Sequence, residues 1–118
     1  MSSLIRKLLR YFYVGATRSE SSASAYRRPM GYQQLVLSGT AQFLTVPGAS
    51  GGYVVGYAII QCVGTTSTAS WRDDGVAPTA GAGMTLAAGQ ELDYSGDLTQ
   101  IQFINATSSN TLNISYYA

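Results

Sequence analysis

From Leu35 to the last residue the chain alternates in twos, between turn signals spaced about ten residues apart, and nowhere shows a helical period. This rhythm limits the fold more than any other feature. The run 35–46 ("LVLSGTAQFLTV") reads as a strand closed by Pro47-Gly48, and "GASGG" as a loop. "YVVGYAIIQCV" is rich in β-branched and aromatic residues and reads as a central strand bent at Gly56. "MTLAAGQELDY" reads as two strand pieces divided by Ala88-Gly89. "IQFIN" sets Ile101 and Phe103 on one face, and "TLNISYY" alternates Leu112, Ile114 and Tyr116 against Asn113, Ser115 and Tyr117. Roughly seven or eight short strands predict an all-β body, an antiparallel β-sandwich or jelly roll spanning residues 35–118.

The first 34 residues follow other rules. Leu4, Leu8 and Phe12 fall on one helical stripe, Ile5 and Leu9 widen it, and Arg6, Lys7 and Arg10 lie mostly elsewhere. The spacing predicts a short helix over 2–14, capped by Ser2 or Ser3 and ended by Gly15. Those three cations interrupt any continuous apolar stretch, which argues against a secretory signal. A basic amphipathic helix suits a membrane surface or a protein groove, and docking into a groove on a partner or back on its own body is the expectation. Residues 17–34, Ser-rich and broken by Pro29 and Gly31, read as an extended arm outside the core.

Charge divides the chain in the same way. Residues 1–28 hold six cations, Arg27 and Arg28 among them, against Glu20 alone, a net of +5. From residue 29 onward Arg72 alone opposes five acids, a net of −4. A basic arm on a mildly acidic body implies different partners for the two parts. Charged residues make up only 11% of the chain, against an ordinary ~25%, so the surface is neutral and polar and suited to packing against other proteins. The six cations lack interleaved stacking platforms, so nucleic acid is not the expected partner, and a membrane is set aside in favour of protein docking.

The residue inventory leaves little room for catalysis. There is no histidine, which removes the commonest general base and metal ligand, and Cys62 is the single cysteine. It sits in an apolar run and reads as a small core residue. No nucleophile elbow, P-loop or dinucleotide-binding glycine pattern is present. The chain reads as a non-enzyme with no cofactor, no metal and no small-molecule substrate.

The segment "SWRDDGVAPTAGAGMTL" gathers the only tryptophan, two adjacent acids and three glycines. On a strand, Asp73 and Asp74 would point to opposite faces and could not act as a catalytic pair. Asp-Gly after an alternating run is a hairpin-turn signal, so Trp71, Arg72, Asp73, Asp74, Gly75 and Pro78 read as a structural corner. Trp71 and the nine tyrosines also suit sugar stacking, although core and interface packing is the commoner use of such residues.

Seven stretches together resemble small structural virion proteins of tailed bacteriophages. They are Trp71 to Gly75, Ala77 to Thr79, Gly83-Met84, Leu86 to Gly89, Tyr94 to Leu98, Ile101 to Ile104 and Leu112 to Tyr117. The resemblance covers roughly the last fifty residues, with "YAIIQCVG" fitting loosely before them and the arm carrying no family signature. It implies a virion protein, with a capsid cement or decoration protein on the shell surface as the leading expectation. The implied partners are the major capsid protein or other virion proteins, and the implied assembly is a homo-oligomer, a trimer for preference. In this reading Leu4, Leu8, Phe12, Arg6, Lys7, Arg10, Arg27 and Arg28 contact the partner. The alternatives are a neck or tail component and a carbohydrate-binding adhesin.

Overall fold

A computed structural model describes residues 27–107 and 109–118. The helix expected over 2–14, with Leu4, Arg6, Lys7, Leu8, Arg10 and Phe12, lies outside the described residues. Eight strands follow: β1 Pro29–Val36, β2 Gln42–Phe43, β3 Tyr57–Val63, β4 Thr68–Arg72, β5 Met84–Ala87, β6 Glu91–Tyr94, β7 Gln102–Asn105 and β8 Thr111–Tyr117. They form two antiparallel four-stranded sheets, ordered β1-β8-β3-β6 and β2-β7-β4-β5. The described part is all-β, as the period-two patterning requires.

The pairing has a simple rule. The first strand pairs with the last, the second with the seventh, the third with the sixth, and the fourth with the fifth. The described body is therefore one long folded hairpin. Only β4 and β5 are consecutive strands within one sheet, and every other connection crosses between sheets. The step at Ala88-Gly89-Gln90 is one such crossing. Gly89 N–H donates to the Cys62 carbonyl in the first sheet, while Ala88 N–H donates to the Ser67 carbonyl beside the second.

The core lies between the inner faces. Ala58, Ile60 and Cys62 of β3, Leu112, Ile114 and Tyr116 of β8, Ala69 of β4 and Phe103 of β7 are all fully buried. Burying a large aliphatic or aromatic side chain contributes about 1.5–3 kcal/mol, so this alternation supplies the main stabilisation. Cys62 is a core residue as expected, and burial pushes its thiol pKa up, making it a poor nucleophile.

Three expectations need correction. The 34/35 boundary falls inside β1, which pairs with β8 from Pro29 to Val36, so the end of the presumed arm belongs to the sheet. The polar Gln33 conceals this strand's inward period. Its Oε1 accepts hydrogen bonds from the Tyr116 hydroxyl at 2.7 Å and the Thr45 N–H at 3.1 Å, which satisfies a polar group facing the core. Pro29 is tolerated because it opens an edge strand. Second, the run 35–46 is not one strand. Leu35 and Val36 finish β1, and Gln42-Phe43 belongs to the other sheet, after a corner in which the Ser38 hydroxyl accepts from Thr40 N–H. Third, β3 begins after Gly56 instead of bending there, because Ser50 and Tyr53 pair with each other in a tight turn.

Two buried tyrosines make the body sensitive to alkali. Burial pushes both Tyr94 and Tyr116 up to about 12 from 10.0, and at Tyr94 the hydrogen bond to the Asp73 carboxylate adds to this. The folded state thus holds protons that the unfolded chain releases above pH 10, so stability is fully present below pH 10. It is lost progressively as pH rises toward 12. Thermal melts across this range are expected to show a steep fall in Tm, less steep in Tyr116→Phe. An equal fall in that variant would assign the effect to other groups.

Candidate functional site

The β4–β5 corner is built from Trp71 outward. Trp71 stands opposite Met84 on one side and Phe103 on the other. Its ring turns inward, edge-on to Tyr94 at 6.1 Å between centroids and tilted on Phe103 at 6.5 Å. This packing engages the ring with the core while leaving it partly exposed. Arg72 follows on the opposite face and grips Asp74 with two nitrogens, Nε donating to Oδ1 at 3.1 Å. This contact holds the Asp74 carboxyl below its usual pKa, with the Val76 N–H hydrogen bond assisting.

Asp73 has a different partner. It accepts the Tyr94 hydroxyl at 2.6 Å. Although both lie beyond the end of β4, where the chain bends, the two acids take separate partners, and neither is set against the other for proton transfer. The connection is not the tight Asp-Gly hairpin expected, but the longer loop 73–83. Gly75 takes a positive φ of 85°, Thr79 and Ala82 close the loop tip, and Pro78 is buried beneath it. Gly83 brings the chain back against β4. A Cβ there would overlap the Ser70 hydroxyl and lie 3.0 Å from the Trp71 carbonyl oxygen. A depression of about 250 Å³ opens beside Arg72, Asp73, Asp74, Gly83 and Met84. Its charged groups are already paired with one another or with Tyr94, and Met84 is 60% exposed, so the corner presents a contact surface. Among the described residues no three His, Cys, Asp or Glu side chains converge to hold a metal.

The two acids are not interchangeable. Asp73→Ala strands the hydroxyl of a buried tyrosine and is expected to cost about 1–3 kcal/mol. Asp74→Ala breaks an exposed ion pair and a long, exposed hydrogen bond from Val76 N–H, and is expected to leave the urea midpoint nearly unchanged. Urea unfolding of both variants checks this, and equal losses would refute the assigned roles.

Arg27 and Arg28, expected among the partner-contacting cations, lie on the body. The Arg27 guanidinium carbon sits 3.7 Å from the centre of the Tyr57 ring, and that of Arg28 sits 4.2 Å from the Tyr53 ring. Arg28 also exchanges two backbone hydrogen bonds with Ala118. Arg28 therefore lies paired beside Ala118.

A second feature escaped the linear reading. On the outer face of the first sheet, Gln34, Asn113, Gln61 and Glu91 form one row across four strands, and Tyr32, Ser115, Ile59 and Asp93 form the next. Asn113 Oδ1 accepts from the Tyr32 hydroxyl at 2.9 Å and from Gln34 Nε2 at 3.0 Å. Asn113 Nδ2 donates onward to Gln61 Oε1 at 3.4 Å. A depression of about 210 Å³ lies over these rows, lined by Tyr32, Ile59, Gln61, Glu91, Asn113 and Ser115. Tyr32 and Asn113 lie 81 positions apart in the sequence, and only β-pairing unites them.

Compared with known protein families, curated proteins and solved structures, the chain has no significant match.

Proposed function

We propose that this chain is a structural protein of a tailed-bacteriophage virion, and specifically a capsid cement or decoration protein. The observation that carries the reading is where the phage-like residues fall. Trp71, Pro78, Leu86, Tyr94, Leu98, Ile101, Phe103, Leu112 and Ile114 build the core and the β4–β5 corner, as expected of a framework. We also read the body as a jelly roll. First-with-last pairing and the orders β1-β8-β3-β6 and β2-β7-β4-β5 are those of one long hairpin rolled into two sheets. The split of charge supports a division of labour, in which a basic arm attaches to neighbouring subunits and the body caps the surface where they meet. A patch of about 800 Å² per partner, repeated around a closed shell, turns modest contacts into avidity.

Quantifying the chain in purified particles tests this. Copy numbers in the hundreds fit a shell protein, a handful fits the neck or tail, and absence overturns the virion reading. Adding the full chain and a version starting at residue 27 back to particles lacking it tests the arm. The full chain is expected to restore heat resistance and the shortened one to bind weakly. Full occupancy by the shortened chain would overturn the tether.

A further inference from the structure

The depression on the outer face of the β1-β8-β3-β6 sheet has features that select a ligand. Tyr32 is 64% exposed, yet its hydroxyl is anchored on Asn113, so the ring is presented to solvent in a set orientation. The amide chain runs one way, from Gln34 and Tyr32 through Asn113 to Gln61. Gln61 spends its oxygen on Asn113, its Nε2 donors have no hydrogen-bond partner among the described residues, and its register partner Glu91 lines the same depression. No described residue hydrogen-bonds to the Glu91 carboxylate. The rim thus offers an aromatic face, an amide donor and a carboxylate acceptor, and among the described residues no cation lines it.

We propose that this depression binds a neutral saccharide, with the Tyr32 ring as stacking platform, Gln61 as donor and Glu91 as acceptor. A sugar ring has an apolar C–H face for the tyrosine, and each hydroxyl both donates and accepts, matching the Gln61–Glu91 pair. Other ligand classes fit less well. An anion meets Glu91 and the neighbouring Asp93, and an apolar ligand strands the amide and the carboxylate. A cationic group satisfies Glu91 but sets the Gln61 N–H donors against another donor. The site is shallow, so single-site affinity is expected in the millimolar range, with multiple copies supplying avidity. The proposal concerns the body alone and is independent of the virion reading.

The test titrates the full chain with neutral hexoses, N-acetylhexosamines and their short oligosaccharides, following the side-chain amide NMR signals of Gln61 and Asn113. At least one sugar is expected to give saturable shifts of both. Tyr32→Ala and Gln61→Ala, at exposed positions, are expected to weaken that binding at least about tenfold with unchanged Tm. Tyr32→Phe keeps the ring, loses the anchor and is expected to fall between. No saturable shift with any sugar overturns the proposal, as does undiminished binding by Tyr32→Ala. A synthetic peptide of residues 1–26 that moves the same amides when no sugar does would overturn it in favour of a peptide site. Copy number and particle occupancy are read separately, so this site and the virion role fail independently.

Discussion

Deleting residues 1–34 is expected to unfold the body, whereas deleting residues 1–26 is expected to leave both sheets intact. The two cuts differ by most of β1. Losing it removes six of that strand's eight residues, exposes the β8 edge, and takes away Gln33, the acceptor for the buried Tyr116 hydroxyl. An unpaired buried hydroxyl costs about 1–3 kcal/mol, before any apolar contact of Met30 is counted. Against a total of about 5–15 kcal/mol for a domain, such losses are decisive. The newly exposed β8 edge also invites pairing between copies, so aggregation is expected to accompany unfolding. Circular dichroism melts and size-exclusion profiles of the two shortened chains check this. A cooperative, unshifted melt for the chain starting at residue 35 would show that β1 is dispensable.

Trp71→Ala is expected to destabilise the body by about 3 kcal/mol, the low end for large aromatic truncations because the ring is only partly buried. The loss opens a gap between Tyr94 and Phe103, which hold the β4–β5 hairpin against the core. Met84→Ala, at an exposed position paired with Trp71, is expected to cost far less. Urea unfolding followed by circular dichroism separates the two. A Trp71→Ala protein of unchanged stability would mean that the hairpin is held by its loop, not its tryptophan.

The corner shows how far linear reading reaches. Its place between two strands was legible, because alternation and turn chemistry are local properties. Its partners were not. The Tyr94 hydroxyl on Asp73 joins residues on different sheets, and the inward turn of Trp71 depends on Phe103 in β7. β1 was missed for a related reason. A glutamine facing inward breaks the apolar rhythm, and only the positions of Tyr116 and Thr45 explain why it is tolerated. The outer-face depression left no local signal at all. Tyr32, Gln61, Glu91 and Asn113 are unremarkable residues in four separate strands.

By itself the sequence determined the all-β class of the body, the inward set on β8, the separation of basic and acidic halves, and the two pieces either side of Ala88-Gly89. Each follows from interactions between residues close along the chain, where the period of two and the needs of turns leave few choices. Tertiary structure alone decided which strand joins which sheet, where the body begins, and which polar side chains meet. Those outcomes depend on register between strands far apart in sequence. Register is set by the joint burial of many side chains and the satisfaction of groups such as Gln33, so no single segment encodes it.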